Sequence, residues 1–523
     1  VETATTTARA GSLGLSARRV PRVDSTVLTA VLGLTALGIA IRFSTVGLQS
    51  YHHDEVVTAA RVLPGSFGHL LHEVRASEST PPLYYVLAWA WAKLFGTGEA
   101  GLRSLSALFG AATIPLGYMI GREVAGRRAG LITTAMVAVN PMLIWYSQEA
   151  RAYSLLVLLC AASLVFFLRA RRTGRALDLG FWALFSALAL CSHYFAAFPI
   201  AVEGVWLLAV FRRDRATLLS VAAVGVAGLL LAPLALAQAN PDHISWIADS
   251  PMLLRITDTA ASFMIGETGQ VIAEPPRDGY AILPGIIFLA GLAVAVWPRR
   301  KPPAAVMPVL VVGCGTILLA VGLALGGTDY VIGRNLLPAL VPLTAVAGAG
   351  LALMRPARLG IVAAVVLCAY WLAFDVYVDA KPNLQRPDVR ALATEIGPAH
   401  GPRVIVAWKL ATDGLQYYLH DGTAHVWGGP QRVREVDAIV KQNVAHRLGP
   451  HPPGLPGSFL RVQQVREGRM TLVRYQARQP QVVLFSALKD FKTGFGVNVV
   501  LANSGSAAPL NTSPEYVGGS LKR

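Results

Sequence analysis

Eleven stretches of this sequence are long and apolar enough to cross a bilayer, and that repetition decides the fold class before any single residue does. A spanning helix needs about 20 predominantly apolar residues. The first candidates are Thr26 to Phe43, Leu102 to Ile120, Ala129 to Trp145, Ala150 to Leu168, Leu177 to Ser192 and Ala196 to Phe211. The remaining five are Leu218 to Ala237, Tyr280 to Trp297, Ala304 to Leu325, Leu336 to Leu353 and Leu359 to Val376. Of the 523 residues, 54% are hydrophobic and only 15% charged, which gives an α-helical polytopic membrane protein. The net charge of +16 does not point to nucleic acid, because most Arg and Lys fall in short clusters between the apolar runs.

Those clusters set an expected topology. The run Leu83 to Phe95 is short for a span and opens after Pro81-Pro82, a helix-starting pair, so it reads as an interfacial or partly inserted helix. With it left out, Arg122, Arg127 and Arg128 share a side with Arg169, Arg171, Arg172 and Arg175. Arg212, Arg213, Arg215, Arg299, Arg300, Lys301, Arg355 and Arg358 join them, a consistent positive-inside pattern. Residues 1–25 then form a cytoplasmic tail whose Arg18, Arg19 and Arg22 precede an uncleaved signal anchor. The four cysteines lie inside apolar runs and read as packing residues.

Residues 26–378 are expected to be the membrane domain. After Asp379 the composition turns polar, and β-branched runs such as Val404-Ile405-Val406 and Met470 to Val473 alternate with helix-like stretches. Residues 379–485 therefore read as a small extracytoplasmic α/β domain, and 486–523, rich in Gly, Ser, Asn and Ala, as a poorly ordered tail. In the long loop between the spans, Ser250-Pro251 starts a mixed run to Ile265 that suits a helix lying on the membrane surface as a lid.

The expected topology gathers ionisable residues on the outer side. Asp54 and Glu55 follow the first span; Glu149 and Arg151, His193, Tyr330 and Arg334 lie in later outward loops. Several ionisable groups at one membrane depth look like a site. Asp54 also fits a plainer role, capping the helix that begins at Glu55. Arg151 and Arg334 match phosphate oxygens with guanidinium forks, or serve as interfacial anchors. His193 suits phosphate, sugar or a satisfied structural position. Trp89, Trp91, Tyr84 and Tyr85 read as an interfacial aromatic belt before a sugar platform. No phosphate-cradling glycine loop follows a strand, which disfavours a nucleotide-sugar donor. His52, His53 and Asp54 are adjacent in sequence and so rarely point at one centre; no cofactor is called for, and a divalent cation is only compatible.

Three pieces of the sequence carry a family resemblance: His53-Asp54-Glu55, then Ser79-Thr80-Pro81-Pro82-Leu83-Tyr84-Tyr85, then Leu94-Phe95-Gly96 with Glu99 and Leu102-Arg103. Together they resemble the protein O-mannosyltransferases and their bacterial relatives, the lipid A aminoarabinose transferases, which are GT-C glycosyltransferases. The likeness is good over roughly the first 200 residues, looser at Gly333-Arg334-Asn335-Leu336-Leu337-Pro338, and says little of the C-terminal domain. It implies transfer of mannose or a related sugar from a polyprenyl-phosphate donor to an outside hydroxyl on protein, lipid or glycan, with inversion. It also implies that Asp54 is the general base, Glu55 its neighbour and Glu149 a second acid. A cell-membrane location goes with it. The competing reading is a transporter or flippase, whose site would lie near the bilayer midplane on broken helices.

Overall fold

The computed structural model describes residues 25–239, 245–267, 277–297, 302–420, 423–426, 428–452, 454–494 and 498–503. The anchor's basic flank at Arg18, Arg19 and Arg22, the cluster Arg299 to Lys301 and residues beyond 503 lie outside them.

The chain opens with α1 (Ser25–Ser44), followed by three shorter helices, α2 (His53–Val57), α3 (Phe67–Ser77) and α4 (Leu83–Phe95). Then come α5 (Glu99–Ala125), α6 (Arg127–Val139), α7 (Pro141–Ser147), α8 (Tyr153–Thr173) and α9 (Ala176–Ser192). They are followed by α10 (Ala197–Phe211), α11 (Arg215–Gln238) and α12 (Met252–Ile265). Four further helices, Arg277–Ala295, Val306–Leu325, Leu340–Leu353 and Ala357–Asp379, complete the helical part.

Among the described residues, eight helices are long and apolar enough to cross a membrane, counting the 3-10 turns that lead into α10 and Leu340–Leu353. The bent pair α6 and α7 makes a ninth, and α9 and Gly279–Ala295 are shorter apolar helices. Each of the eleven apolar runs of the sequence is thus occupied by an apolar helix. The thirteen residues of α4 extend about 20 Å at the helical rise, against a hydrocarbon core of about 30 Å.

The break between α6 and α7 has a local cause. Pro141 has no N–H to donate and pushes Asn140 into extended backbone, φ −68° and ψ 124°. Asn140 then caps α7, its Oδ1 accepting from the Leu143 N–H at 3.1 Å, and the axis turns by 53°. The carbonyls released at the break are met by Arg42 of α1, which is fully buried. Arg42 donates to the carbonyls of Ala138 at 2.8 Å and Val137 at 3.2 Å and to the Ser147 hydroxyl at 3.0 Å. Gly110 of α5 leaves no room for a side chain beside Ser147, so α5 and α7 cross closely.

Among the described residues, the C-terminal domain holds one six-stranded sheet in the order β2-β6-β1-β3-β5-β4. The strands are β1 (Arg403–Trp408), β2 (Ala424–His425), β3 (Gln431–Lys441), β4 (Leu460–Glu467), β5 (Met470–Val483) and β6 (Asn498–Asn503). β1 and β3 run parallel and the remaining pairs antiparallel. The run of apolar residues in β1 reflects cover on both faces. Val404 and Val406 pack with Tyr475, Phe459 and Phe491, whereas Ile405 and Ala407 meet the helices Val389–Ile396 and Lys409–Leu419. Residues 498–503, expected in a poorly ordered tail, instead form β6 and pair along β1 from Arg403 to Trp408. Its apolar side chains Val500 and Leu501 close the two cores, a role their Gly- and Ser-rich surroundings conceal.

Candidate active site

Asp54 and Glu55, adjacent in sequence, face opposite environments because they sit one helical step apart in α2. The cap of this short helix is His52, so Asp54 is free of the capping role. Glu55 is completely buried. Its two oxygens accept from Arg103 Nε and Nη2, both at 2.7 Å, and from the N–H groups of Ala150 at 2.8 Å and His52 at 3.0 Å. Arg386 Nη1 adds a fifth donor at 3.3 Å. Burial pushes the Glu55 carboxyl up, and Arg103 with these other donors overrides it and holds it low. A carboxylate so saturated ties loops together rather than meeting a ligand.

Asp54 keeps 32% of its side chain exposed, and its Oδ2 lies 3.6 Å from Arg334 Nη1. Burial again acts upward, but the charges of Arg151, His52, Arg334 and His53 hold this carboxyl well below the usual carboxylate range. It is therefore ionised, open to water and faced by a cation.

Glu149 follows α7, and its Oε2 lies 2.6 Å from Arg386 Nη2. Burial pushes it up, the Arg386 charge opposes this, and Glu55 and Asp54 add to the rise, leaving it at about 7. Arg151 is committed elsewhere than the sequence suggests. Its Nη1 reaches Glu78 at 2.8 Å, the Thr58 hydroxyl at 3.0 Å and the Asp54 carbonyl at 3.3 Å, so its charge is met by a buried carboxylate. Glu78 also accepts from the Tyr85 hydroxyl at 2.7 Å, which ties the motif around Pro81-Pro82 to the Asp54 loop and takes Tyr85 out of the aromatic belt.

His193 is buried, its Nδ1 accepting from the Phe195 N–H at 3.3 Å. Burial, with the charges of Arg151 and Arg334, pushes it down to about 3, so it is neutral. Its ring lies 5.4 Å from Tyr153 and 4.8 Å from Phe195, and Phe195 in turn meets Tyr330 edge-on at 5.2 Å. Arg334 keeps 25% of its side chain exposed and lies in the electrostatic reach of Tyr153, Asp54, Tyr146 and Glu149. Its loop is braced by α12, whose Arg255 reaches Asp329 at 2.6 Å and the Val331 carbonyl at 3.4 Å.

The structure thus brings Asp54, Glu149, Arg151, His193 and Arg334 to one place, with Tyr330 at the margin and Glu55 beneath. All seven lie between apolar helices or in short helices beside them. Four participants escaped the sequence: Arg386, Glu78, Asp413 and Glu267. Asp413 pairs with His53 at 3.0 Å, and Glu267 accepts from the Tyr146 hydroxyl at 3.1 Å and packs against Gly333. Glu78 directly precedes the Ser79-Thr80-Pro81 motif, a proximity that could have drawn notice; nothing in the sequence marks Arg386. Among the described residues, no group of three or more His, Cys, Asp or Glu is arranged to hold a metal ion.

A family model for dolichyl-phosphate-mannose-protein mannosyltransferases matches residues 79–237. No curated protein matches the chain by sequence. Among solved structures, ArnT from Cupriavidus metallidurans bound to undecaprenyl phosphate is similar with a TM-score of 0.51 at 15% identity, covering 85% of this chain and 97% of that one. The same protein in its apo state gives a TM-score of 0.53 at 14% identity, over 86% and 98% of the two chains. The chain thus shares the fold of the ArnT structures, and its residues 79–237, from the Pro81-Pro82 segment through α11, carry the sequence pattern of the dolichyl-phosphate-mannose-protein mannosyltransferase family.

Proposed function

We propose that the protein transfers a single sugar, mannose or a related one, from a polyprenyl-phosphate donor to a hydroxyl presented on the extracytoplasmic side. The observation that carries this reading is the open, ionised Asp54 carboxylate 3.6 Å from the Arg334 guanidinium, beside a neighbour, Glu55, that is fully engaged. A membrane-embedded donor also accounts for an enzyme built of so many apolar helices, since the lipid tail needs an apolar flank beside a polar headgroup site. The ArnT structure of this fold holds undecaprenyl phosphate, the class of lipid that such a donor would release.

In this mechanism the acceptor O–H approaches the anomeric carbon opposite the phosphate. The new C–O bond forms as the bond from that carbon to the phosphate oxygen breaks, which inverts the anomeric centre. The hydroxyl proton passes to Asp54, and polyprenyl phosphate leaves with the bonding pair. Arg334 meets the departing phosphate oxygens, with the Arg151 charge behind it. A carboxylate held low is a weak base in the empty site. Phosphate bound to Arg334 offsets the charge that holds Asp54 down, so Asp54 becomes more basic once donor is in place. Glu149 orients acceptor or sugar hydroxyls, while neutral His193 and Tyr330 border the sugar.

Transport is disfavoured by placement, since these residues lie at helix ends and in loops rather than along broken helices at the middle of spans. The test is a panel of polyprenyl-phosphate sugars given to reconstituted protein with cell-envelope acceptors. Release of polyprenyl phosphate from one donor, lost in folded Asp54→Asn, is the expected result. Near-normal release by Asp54→Asn overturns the base assignment, and no release from any donor overturns the donor class.

A further inference from the structure

Among the described residues, Arg386 is the one site cation that does not come from the helical bundle. It lies just past Ala357–Asp379, where the chain enters the C-terminal domain, and it points back into the membrane domain. Its side chain is 6% exposed, stacks over Trp145 at 4.6 Å, and bridges two carboxylates, Glu149 at 2.6 Å and Glu55 at 3.3 Å. Its backbone is fixed as well, the N–H donating to Gln49 Oε1 at 3.0 Å. Around it Ser50 accepts from the Val389 N–H at 3.1 Å, and Tyr418 holds both the Tyr51 N–H at 2.8 Å and Glu99 at 2.7 Å. The domain therefore grips the loop that carries Asp54 on several independent contacts.

From this geometry we infer that Arg386 is a positioning residue supplied to the active site by the C-terminal domain, pairing with Glu149 and aiming it beside Asp54 and Arg334. The site is then incomplete without that domain. The inference deepens the transferase reading and rests on it for the role of Glu149. The groups that face Glu149 are Arg386, Glu55, Asp54 and Arg334, with Tyr84, Tyr146 and Tyr153 nearby. Glu55 and Asp54 are acids whose charges work against its own, Arg334 works with it, and Arg386 is its direct ion-pair partner. With the Glu149 carboxyl at about 7, removal of one adjacent cation moves its titration across the neutral range.

The experiment compares full-length wild type with Arg386→Gln and Arg386→Lys. In Arg386→Gln the acid limb of the pH–rate profile moves up by about one pH unit or more, the size of effect that loss of an adjacent opposite charge produces. Turnover at pH 7 then falls by roughly fivefold or more and recovers in alkaline buffer. Arg386→Lys, which keeps the charge, returns the limb to its wild-type position. A readout without donor separates this inference from the donor class. It is the carboxyl band in pH-difference infrared spectra that disappears in Glu149→Gln, and its titration is expected to move up in Arg386→Gln. An unshifted band and limb in folded Arg386→Gln overturn the inference, whatever the donor proves to be. A shifted band in a protein that turns over no polyprenyl-phosphate sugar sustains the Arg386–Glu149 coupling and overturns only the transferase reading.

Discussion

Asp54 and Arg334 come from opposite ends of the membrane domain and face each other at 3.6 Å, each keeping a quarter to a third of its side chain open. Most of the other charges around them are neutralised by a buried partner. On the proposed transferase reading, this long, partly exposed ion pair is where the anionic headgroup and the acceptor hydroxyl meet.

Replacing Asp54 by Asn keeps the shape and removes the base. Turnover is expected to fall by about 10² to 10⁴, the usual contribution of a general base, with donor KM little changed. Steady-state kinetics with a fixed acceptor, next to a melting curve, checks this.

Arg334→Gln removes the charge that faces the phosphate. A lost charge-assisted hydrogen bond of about 1.5–3 kcal/mol corresponds to roughly 10- to 150-fold in donor KM or turnover. Arg334→Lys should restore only part, since a single ammonium cannot reproduce the guanidinium fork. Equal kinetics for Lys and Arg would remove the argument for bidentate phosphate contact.

Glu55→Gln behaves differently from Asp54→Asn despite the adjacent position. It leaves Arg103 and Arg386 short of a buried counter-charge, and breaking such a pair costs about 3–5 kcal/mol. The measurable result is lost folded protein after detergent extraction, seen in size-exclusion profiles, ahead of any selective kinetic defect.

Docking of the C-terminal domain should depend on pH through His53 and Asp413, 3.0 Å apart. Burial lowers the His53 value, but the Asp413 hydrogen bond and the Asp54 and Asp413 charges outweigh it and leave it raised, against Arg151. Its contribution is complete below the free histidine value of about 6.5 and is lost as pH rises through the raised folded value. Asp413 is half-buried, which raises it, but His53, Arg61 and His425 depress it, so its share is present above about 4 and lost in stronger acid. The protection factors of amides in the helix Lys409–Leu419, taken against the intrinsic exchange rate at each pH, should be highest between those limits and fall at alkaline pH. His53→Gln should remove the alkaline change.

The spans were legible because bilayer thickness imposes a length that apolar runs report directly. That Asp54-Glu55 would be met by partners was legible for a similar reason: paired acids beside a span need them. Which of the two stays open was not legible, because the answer rests on Arg103, near the start of α5, and on Arg386 in the next domain. The cap reading failed at one residue, since α2 begins at His53 and leaves Asp54 inside the first turn. The phosphate role expected of Arg151 met a buried carboxylate, Glu78, whose tertiary position no local pattern encodes. In the C-terminal domain, Val404-Ile405-Val406 announced a strand through its apolar run. Val499-Val500-Leu501 did not, surrounded by tail-like composition, although β6 is the partner that flanks β1.

Arg42 carries a consequence for how the protein is made. Its acceptors at Val137 and Ala138 lie on α6, the third membrane-crossing element, and do not yet exist when α1 leaves the ribosome. A lone guanidinium at the last turn of α1 stays with the headgroups by extending its side chain outward. The carbonyls freed where α6 breaks at Asn140, with that of Gly38 in α1 itself, are what hold it turned inward. In the folded chain the kink that shapes the Glu149 loop is thus also the point at which α1 is fastened to the bundle.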